Sequence, residues 1–345
     1  MKVLLIGSGM VADTHVLALR DNTVGARLVG VLGRDDRRTA GFCDRASGTL
    51  GYPVSAFIDI DAALAVLPDM AIVITPPNAR APFASALAKA SIPTLMEKPI
   101  ERTLGAARAI VDTYARAETP LGLCFQHRMR DAAQALKTPL LAGDLGDILH
   151  VEIRIPWWRD QAYYDAPGRG SYDRDGGGVM ISQAIHTLDL ALWLAGPVAS
   201  LQAQMQTTSL HLMEAEDIAS ALLTFRSGAS GVLSASTAAY PGTTESIALT
   251  TTRAQVLLEG DTLRIDWHDG RQDRHTPETE TGTGGRADPM AFSHGWHQSV
   301  IEDFVDAVRD NRPPVAPPDQ ALHVHAVIDA MERAARSRAV TEVAE

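Results

Sequence analysis

Apolar runs and helix-period stretches alternate over the first third of the chain. Residues 3–6, 27–32, 70–75, 92–96 and 121–125 are apolar runs closed by glycine, proline or charged residues, the pattern of strands buried on both faces. Helical segments at 10–21, 80–90 and 103–117 fill the gaps, and this βαβ rhythm predicts a doubly wound parallel sheet. After about residue 123 the rhythm is lost. Runs at 149–156, 201–208, 218–225, 231–238, 246–251, 254–259 and 262–267 follow one another at hairpin spacing. They predict a large, open, mainly antiparallel sheet, one face of which a helix at 179–195 covers. Helices at 297–310 and 319–337 close the chain, joined by a stiff loop through Pro313, Pro314, Pro317 and Pro318. Residues 277–289, with Gly282, Gly284 and Gly285, read as a loop and a candidate lid. The fold class is α/β plus α+β, divided into residues 1–122 and 123–345.

Composition narrows the function. A chain of 345 residues has room for two cores, and 46% apolar with 21% charged residues is ordinary for a soluble protein. The net charge of −11 argues against a nucleic-acid partner. Cys43 and Cys124 are the only cysteines and lack a CxxC spacing, which fits a reducing cytoplasm. The first apolar run is too short before Gly7 for a signal peptide, and no run reaches the length of a membrane span. We expect a cytoplasmic protein with no membrane partner.

The candidate chemistry lies at strand ends, where open parallel sheets bind ligands. Gly7-Ser8-Gly9-Met10-Val11-Ala12 follows the first strand and opens the first helix. Gly7 permits the tight turn, Gly9 lets backbone approach a pyrophosphate, and Ala12 allows close helix–strand packing. The second strand ends at Gly33-Arg34-Asp35-Asp36-Arg37-Arg38. Position 33 lacks the carboxylate that would bond a ribose 2′-hydroxyl, and the arginines lean towards NADP, although Asp35 could swing inward. Two further strands end in Thr75-Pro76-Pro77-Asn78 and in Glu97-Lys98-Pro99, where proline stiffens the lysine's setting.

These segments, with Gly176-Gly-Gly-Val-Met-Ile-Ser-Gln-Ala-Ile-His186-Thr-Leu-Asp189, resemble the glucose-fructose oxidoreductase, inositol dehydrogenase and MocA (Gfo/Idh/MocA) family in order and spacing over nearly the whole chain. The resemblance implies a Rossmann domain over 1–122, and a substrate-binding and oligomerisation domain over 123–345. It implies NAD(P)-dependent oxidoreduction of a sugar, sugar acid or cyclitol, and a homodimer or homotetramer formed through the second sheet. Gly7, Gly9, Met10, Val11, Arg34, Thr75, Pro76, Asn78, Glu97 and Lys98 are the candidate cofactor contacts. Arg128, Trp158, Tyr163, Arg169, Gln183 and Asp189 are the candidate substrate contacts. Relatives often have tryptophan before the arginine equivalent to Arg169, where this chain has Gly168. They often have histidine at position 80, where Arg80 is expected on a helix surface.

Hydride chemistry belongs to the nicotinamide, and the protein must orient the substrate and move one proton. Lys98 and His186 are the candidates for that proton: imidazole titrates near neutrality, and an ammonium stabilises alkoxide character. The family usually has aspartate or asparagine where this chain has Ser182, which cannot carry a charge at neutral pH. Helical spacing predicts Ser182, His186 and Asp189 on one face, with Asp189 orienting His186 or pairing elsewhere. His294/His297 and His323/His325 lack a nearby carboxylate or cysteine at zinc-like spacing, so no metal is expected; the long loop could bring His294 or His297 to the substrate. Two other activities remain open: a nucleotide-retaining glycoside hydrolase on the same fold, which needs a further base, and a non-catalytic NADP-binding sensor.

Overall fold

The computed structural model describes residues 1–277 and 293–344, which form two compact units. Most of the candidate lid lies outside the described residues.

The first unit takes residues 1–101, 105–126 and 293–321. Its elements are β1 (Lys2–Ile6), α1 (Ala12–Asp21), β2 (Arg27–Leu32), α2 (Asp36–Leu50), β3 (Ser55–Phe57), α3 (Ile60–Leu64), β4 (Met70–Val73), α4 (Arg80–Lys89), β5 (Thr94–Glu97), α5 (Leu104–Arg116) and β6 (Leu121–Cys124). The strands form one parallel sheet in the order β3-β2-β1-β4-β5-β6. Strand order reverses beside β1, between it and β4, the place where such sheets open a crevice at their carboxyl ends. Every side chain of β4, β5 and β6 is buried, as a sheet covered on both faces requires.

The second unit continues with α6 (Asp131–Ala142), β7 (Ile148–Pro156), α7 (Gln161–Tyr164), a π-turn at Met180–Ala184 and α8 (Ile185–Ala195). Strands β8 (Val198–Gln206), β9 (Ile218–Phe225), β10 (Ser230–Ser236), β11 (Ser246–Thr251), β12 (Ala254–Glu259), β13 (Thr262–Trp267) and β14 (Gln272–His275) follow. Helix α9 (His294–Asp310) belongs to the first unit; α10 (Pro318–Ser337) and β15 (Thr341–Glu342) end the chain. The nine-stranded sheet runs β14-β13-β12-β11-β7-β10-β9-β8-β15, antiparallel except for the parallel pair β7–β10. Strands β9 and β10 alternate strictly, with every second residue buried. The inner face packs under α8, which lies on β7 and β11, so the expected cover helix is present. Its first turn, however, is a π-turn, which changes what that helix presents.

Candidate active site

In the first unit, the chain leaves β1 through Gly7 at φ +111°. A Cβ at that residue would meet Ile74 Cγ1 at 2.9 Å and the Thr75 amide nitrogen at 3.2 Å, so the turn admits only glycine. At Gly9 nothing lies within 4 Å of the same position, which leaves the backbone open to a ligand. Helix α1 begins after Val11, whose side chain accepts no hydrogen bond. The Ala12 amide closes on the Gly9 carbonyl at 3.1 Å, and the amides that follow have no side-chain cap and are open to an anion. A cavity of about 660 Å³ opens here, lined by Ser8, Gly9, Met10, Arg37, Arg38 and Arg45 among others. This cradle fits the phosphates of a dinucleotide.

The arginine rim is also present, with Arg34 exposed beside it. Asp35, expected as a carboxylate that could swing inward, is instead the N-cap of α2 and accepts from the Arg38 amide at 2.7 Å. At the carboxyl end of β4, Thr75 has a buried hydroxyl with no partner among the described residues, and Pro76 leads into the short 3₁₀ turn that holds Asn78.

Lys98 follows β5 on a backbone fixed from two sides. Glu97 accepts from the Lys98 amide through Oε2 at 3.2 Å. Arg80 donates to the carbonyls of Thr75 (2.9 Å), Glu97 and Pro99. The expectation of an exposed Arg80 is therefore wrong: it is only 2% exposed, and burial, against the pull of Glu97 and Glu101, brings its guanidinium down to about 10. Three inward-pointing carbonyls at strand ends need a multivalent donor, and arginine supplies one from the start of α4.

Glu97 has neighbours that the sequence separates widely. His15 of α1 lies 2.9 Å from Glu97 Oε1 and His297 of α9 lies 3.6 Å away, with the buried Cys124 thiol alongside. Burial raises the Glu97 carboxyl, but hydrogen bonds from His15 and His297 win and hold it well below its ordinary value. Burial, helped by the Glu97 charge, pushes the Cys124 thiol well up. By sequence spacing neither histidine pair has a carboxylate or cysteine to complete it; the fold sets Glu97 and Cys124 beside His297, and His294 lies outside that group. His294 and His297 stand on a helix rather than a long loop, and His294 bonds Asp21 at 2.8 Å.

In the second unit, Gly178 lies so close to Glu216 that a Cβ would sit 1.8 Å from the Glu216 carbonyl oxygen. Glu216 reciprocates by accepting from the Gly178 and Met180 amides at 3.0 Å each, and its carbonyl takes the Val179 amide at 2.8 Å. This clamp starts the π-turn. The turn alters the expected row: Ser182 donates to the Gly178 carbonyl at 2.6 Å, inside its own turn, and does not extend an α-helical face with His186 and Asp189. Gln183 is 6% exposed, yet neither atom of its amide has a partner among the described residues. Such a group is costly unless a ligand completes it.

His186 stacks on His127, ring centroids 4.9 Å apart at 29°. His127 Nε2 accepts from Arg130 Nη2 at 2.7 Å, which holds that ring neutral with its proton on Nδ1. Arg130 is in turn paired with Glu245 at 2.7 Å. Arg128 and Asp189, expected to face substrate, instead bind each other through two bonds of 2.8 and 2.6 Å, both side chains at most 1% exposed. Their charges are answered internally, and the pair ties α8 to the segment that carries His127. Burial pushes Asp189 up, although Arg128 opposes it.

The aromatic segment is gathered on α7 and its flanks. Arg159 and Arg169 lie over the half-buried Tyr163 ring at 5.7 and 5.0 Å. Trp158 meets Tyr240 edge-on at 5.4 Å and His211 at 5.9 Å. Trp157 is a core residue, bonded to Glu245 at 3.1 Å. Sequence reasoning missed Arg80, His127 and His15. His15 alone left a signal, since it falls on the apolar stripe Ala12–Val16–Leu19 of α1.

Comparison with known proteins matches residues 1–124 to the oxidoreductase family with an NAD-binding Rossmann fold, and residues 133–257 to the GFO/IDH/MocA C-terminal domain. The chain is similar to D-apiose dehydrogenase of Rhizobium rhizogenes, 27% identical over 70% of this chain and 68% of the relative. It is similar also to inositol 2-dehydrogenase 2 of Saccharopolyspora erythraea, 26% identical over 57% and 54%. Among solved structures, levoglucosan dehydrogenase in complex with NADH and levoglucosan superposes with a TM-score of 0.84 at 19% identity, covering 100% of both chains. The parallel sheet with its open glycine turn, the nine-stranded sheet under α8 and these matches agree: the chain belongs to the Gfo/Idh/MocA family of oxidoreductases.

Proposed function

We propose that the protein is an NAD(P)-dependent dehydrogenase that exchanges a hydride between the nicotinamide and a secondary alcohol of a sugar, sugar acid or cyclitol. One observation carries this reading. Lys98 stands at the carboxyl edge of the same parallel sheet whose first turn forms the nucleotide cradle, and Glu97 and Arg80 fix its backbone. That firmness suits a residue whose ammonium must meet a reacting oxygen within a few tenths of an ångström.

The bound nicotinamide supplies or accepts the hydride. Gly7, Gly9, Met10 and Val11 hold the phosphates against α1, and Thr75, Pro76 and Asn78 border the strand end. Arg34, with Arg37 and Arg38, supports a preference for the 2′-phosphate of NADP, because Asp35 is committed to the helix cap. His186 takes or returns the substrate proton. Its neighbour His127 is kept neutral by Arg130, so a protonated His186 faces no second imidazolium. Gln183 bonds a substrate hydroxyl with an otherwise unsatisfied amide, and Trp158, Tyr163 and Arg169 offer stacking faces and donors to a polyol. Ser182 spends its proton within the turn, on the Gly178 carbonyl, so it positions rather than protonates. Names of relatives, which include dehydrogenases of apiose and inositol, support the polyol class.

The test is absorbance of reduced nicotinamide with a panel of cyclitols, pyranoses and sugar acids, each with NAD and NADP. Wild type reduces one cofactor, and Lys98→Met lowers kcat by about 10²–10⁴ while still binding nucleotide. Turnover undiminished in Lys98→Met would sink the assignment. Cross-strand neighbours Leu222 and Val232 are exposed on the outer sheet face, which we assign to self-association. Leu222→Asp sediments as a lighter species if that is correct, and at unchanged mass if another face is used.

A further inference from the structure

Four side chains of the first unit converge on one point behind Lys98. His15 comes from α1, Glu97 from the end of β5, Cys124 from the end of β6 and His297 from α9. Their donor atoms, two imidazole nitrogens, one carboxylate oxygen and one thiol sulfur, all lie within 4.8 Å of one another. None of the four is more than 6% exposed. We propose that this cluster is a tetrahedral site for a divalent transition ion of the zinc class.

The donor set selects the metal. Imidazole and thiolate suit zinc and its neighbours, whereas magnesium and calcium take oxygen donors. Bonds of about 2.0–2.3 Å in a tetrahedron place donor atoms about 3.3–3.8 Å apart. His297 Nε2 already stands 3.6 Å from Glu97 Oε1, and His15 Nε2, at 2.9 Å, has to withdraw by about half an ångström to reach that spacing. The remaining pairs close by at most about 1.5 Å from the 4.8 Å limit. On binding, Cys124 releases its proton to solvent to become the thiolate ligand, and both histidines ligate as neutral rings through Nε2, the proton each ring turned towards Glu97 passing to Nδ1. Glu97 binds through Oε1 and keeps Oε2 on the Lys98 amide.

The site has a structural logic of its own. The ligands occupy four separate elements, and two of them are the last residues of adjacent parallel strands, Glu97 and Cys124, which face each other in register. An ion there would pin α1 and α9 to the sheet edge, just behind the residue that leads into Lys98. Because the four positions run from 15 to 297 in sequence, the site exists only in the folded chain, and metal occupancy stabilises that state.

The experiment uses the full chain, without an affinity tag, purified from zinc-supplemented medium and analysed for metal, then stripped and titrated with Co²⁺. Expected are one zinc per chain and, with cobalt, the visible ligand-field bands of a tetrahedral site together with a thiolate-to-metal charge-transfer band. Cys124→Ser abolishes the charge-transfer band. Loss of an outer-sphere partner alone weakens metal sites by about 10–100-fold, so His297→Gln raises the dissociation constant by more than about a hundredfold. His294→Asn, one turn away and outside the cluster, leaves it unchanged. Should a ligand variant fail to fold, wild type still decides. A native, cooperatively melting protein that takes up neither zinc nor cobalt overturns the proposal. So does a cobalt spectrum that lacks the charge-transfer band, which marks adventitious binding elsewhere.

Discussion

Gly178→Ala tests whether the Glu216 clamp positions the π-turn. An alanine Cβ at this position falls 1.8 Å from the Glu216 carbonyl oxygen and 2.7 Å from that residue's carbonyl carbon and its amide nitrogen. These are backbone atoms of the segment leading into β9 and cannot rotate aside. Relief demands a shift of more than an ångström, which breaks the 2.8 Å bond from the Val179 amide and strains the two 3.0 Å bonds to the carboxylate. Overpacking costs about 1–3 kcal/mol and each lost buried hydrogen bond about 1 kcal/mol, so the sum is about 3–5 kcal/mol. For a unit of this size that lowers Tm by about 6–20 °C. Because the turn carries Ser182 and Gln183 and leads into His186, kcat/KM falls too, by about a hundredfold for a 1 Å misplacement. The assay is a circular-dichroism melt paired with steady-state kinetics. Gly48→Ala is the control: Gly48 lies inside α2 with nothing within 4 Å, so alanine leaves or raises Tm. A Gly178→Ala protein melting within about 2 °C of wild type refutes the argument, since the predicted loss is several times larger.

Two further outcomes follow from buried or committed charges. Asp189→Ala removes the buried carboxylate that pairs with Arg128 and costs about 3–5 kcal/mol by urea titration, whereas the apolar double variant Arg128→Met/Asp189→Leu recovers most of it. Full additivity of the two single losses in the double variant would show that the pair is not coupled. Arg34→Ala raises KM for NADP about 10–100-fold, the worth of a charge-assisted bond, and leaves KM for NAD within a factor of two or so. Equal effects on both cofactors would assign Arg34 to something other than the 2′-phosphate.

The first sheet was legible because covered parallel strands are continuous apolar runs and because Gly7, Gly9 and Ala12 stand directly between a strand and a helix. The second sheet was legible from alternation, yet the parallel β7–β10 pairing was not, since alternation reports which face is buried and says nothing of strand order. Ser182 shows another limit. Its spacing to His186 fits an α-helical row, but the clamp at Gly178 inserts a π-turn, and that close backbone approach arises from Glu216, far along the chain. Arg80 misled for a related reason. An arginine opening a helix reads as solvated unless one knows that three carbonyls point at it. Arg128 and Asp189 each look like ligand contacts until the fold puts them together.

The make-up of the first unit bears on how the protein is born. Its sixth strand donates a hydrogen bond from the Leu123 amide to the Ala316 carbonyl, at 3.0 Å, and the Phe304 ring lies against Gly122. Helix α1 likewise packs on α9, where Glu302 receives the Thr23 amide at 2.7 Å. A nascent chain that has emerged only as far as Gln126 therefore offers an apolar sheet flank and a bare helix flank with no covering partner. At about 5–20 residues per second the ribosome delivers that partner only after about 8–40 seconds. During that interval the nucleotide-binding half is an open sandwich, exposed to chaperones and to its own copies on neighbouring ribosomes, and translation speed over the long middle stretch becomes a determinant of yield.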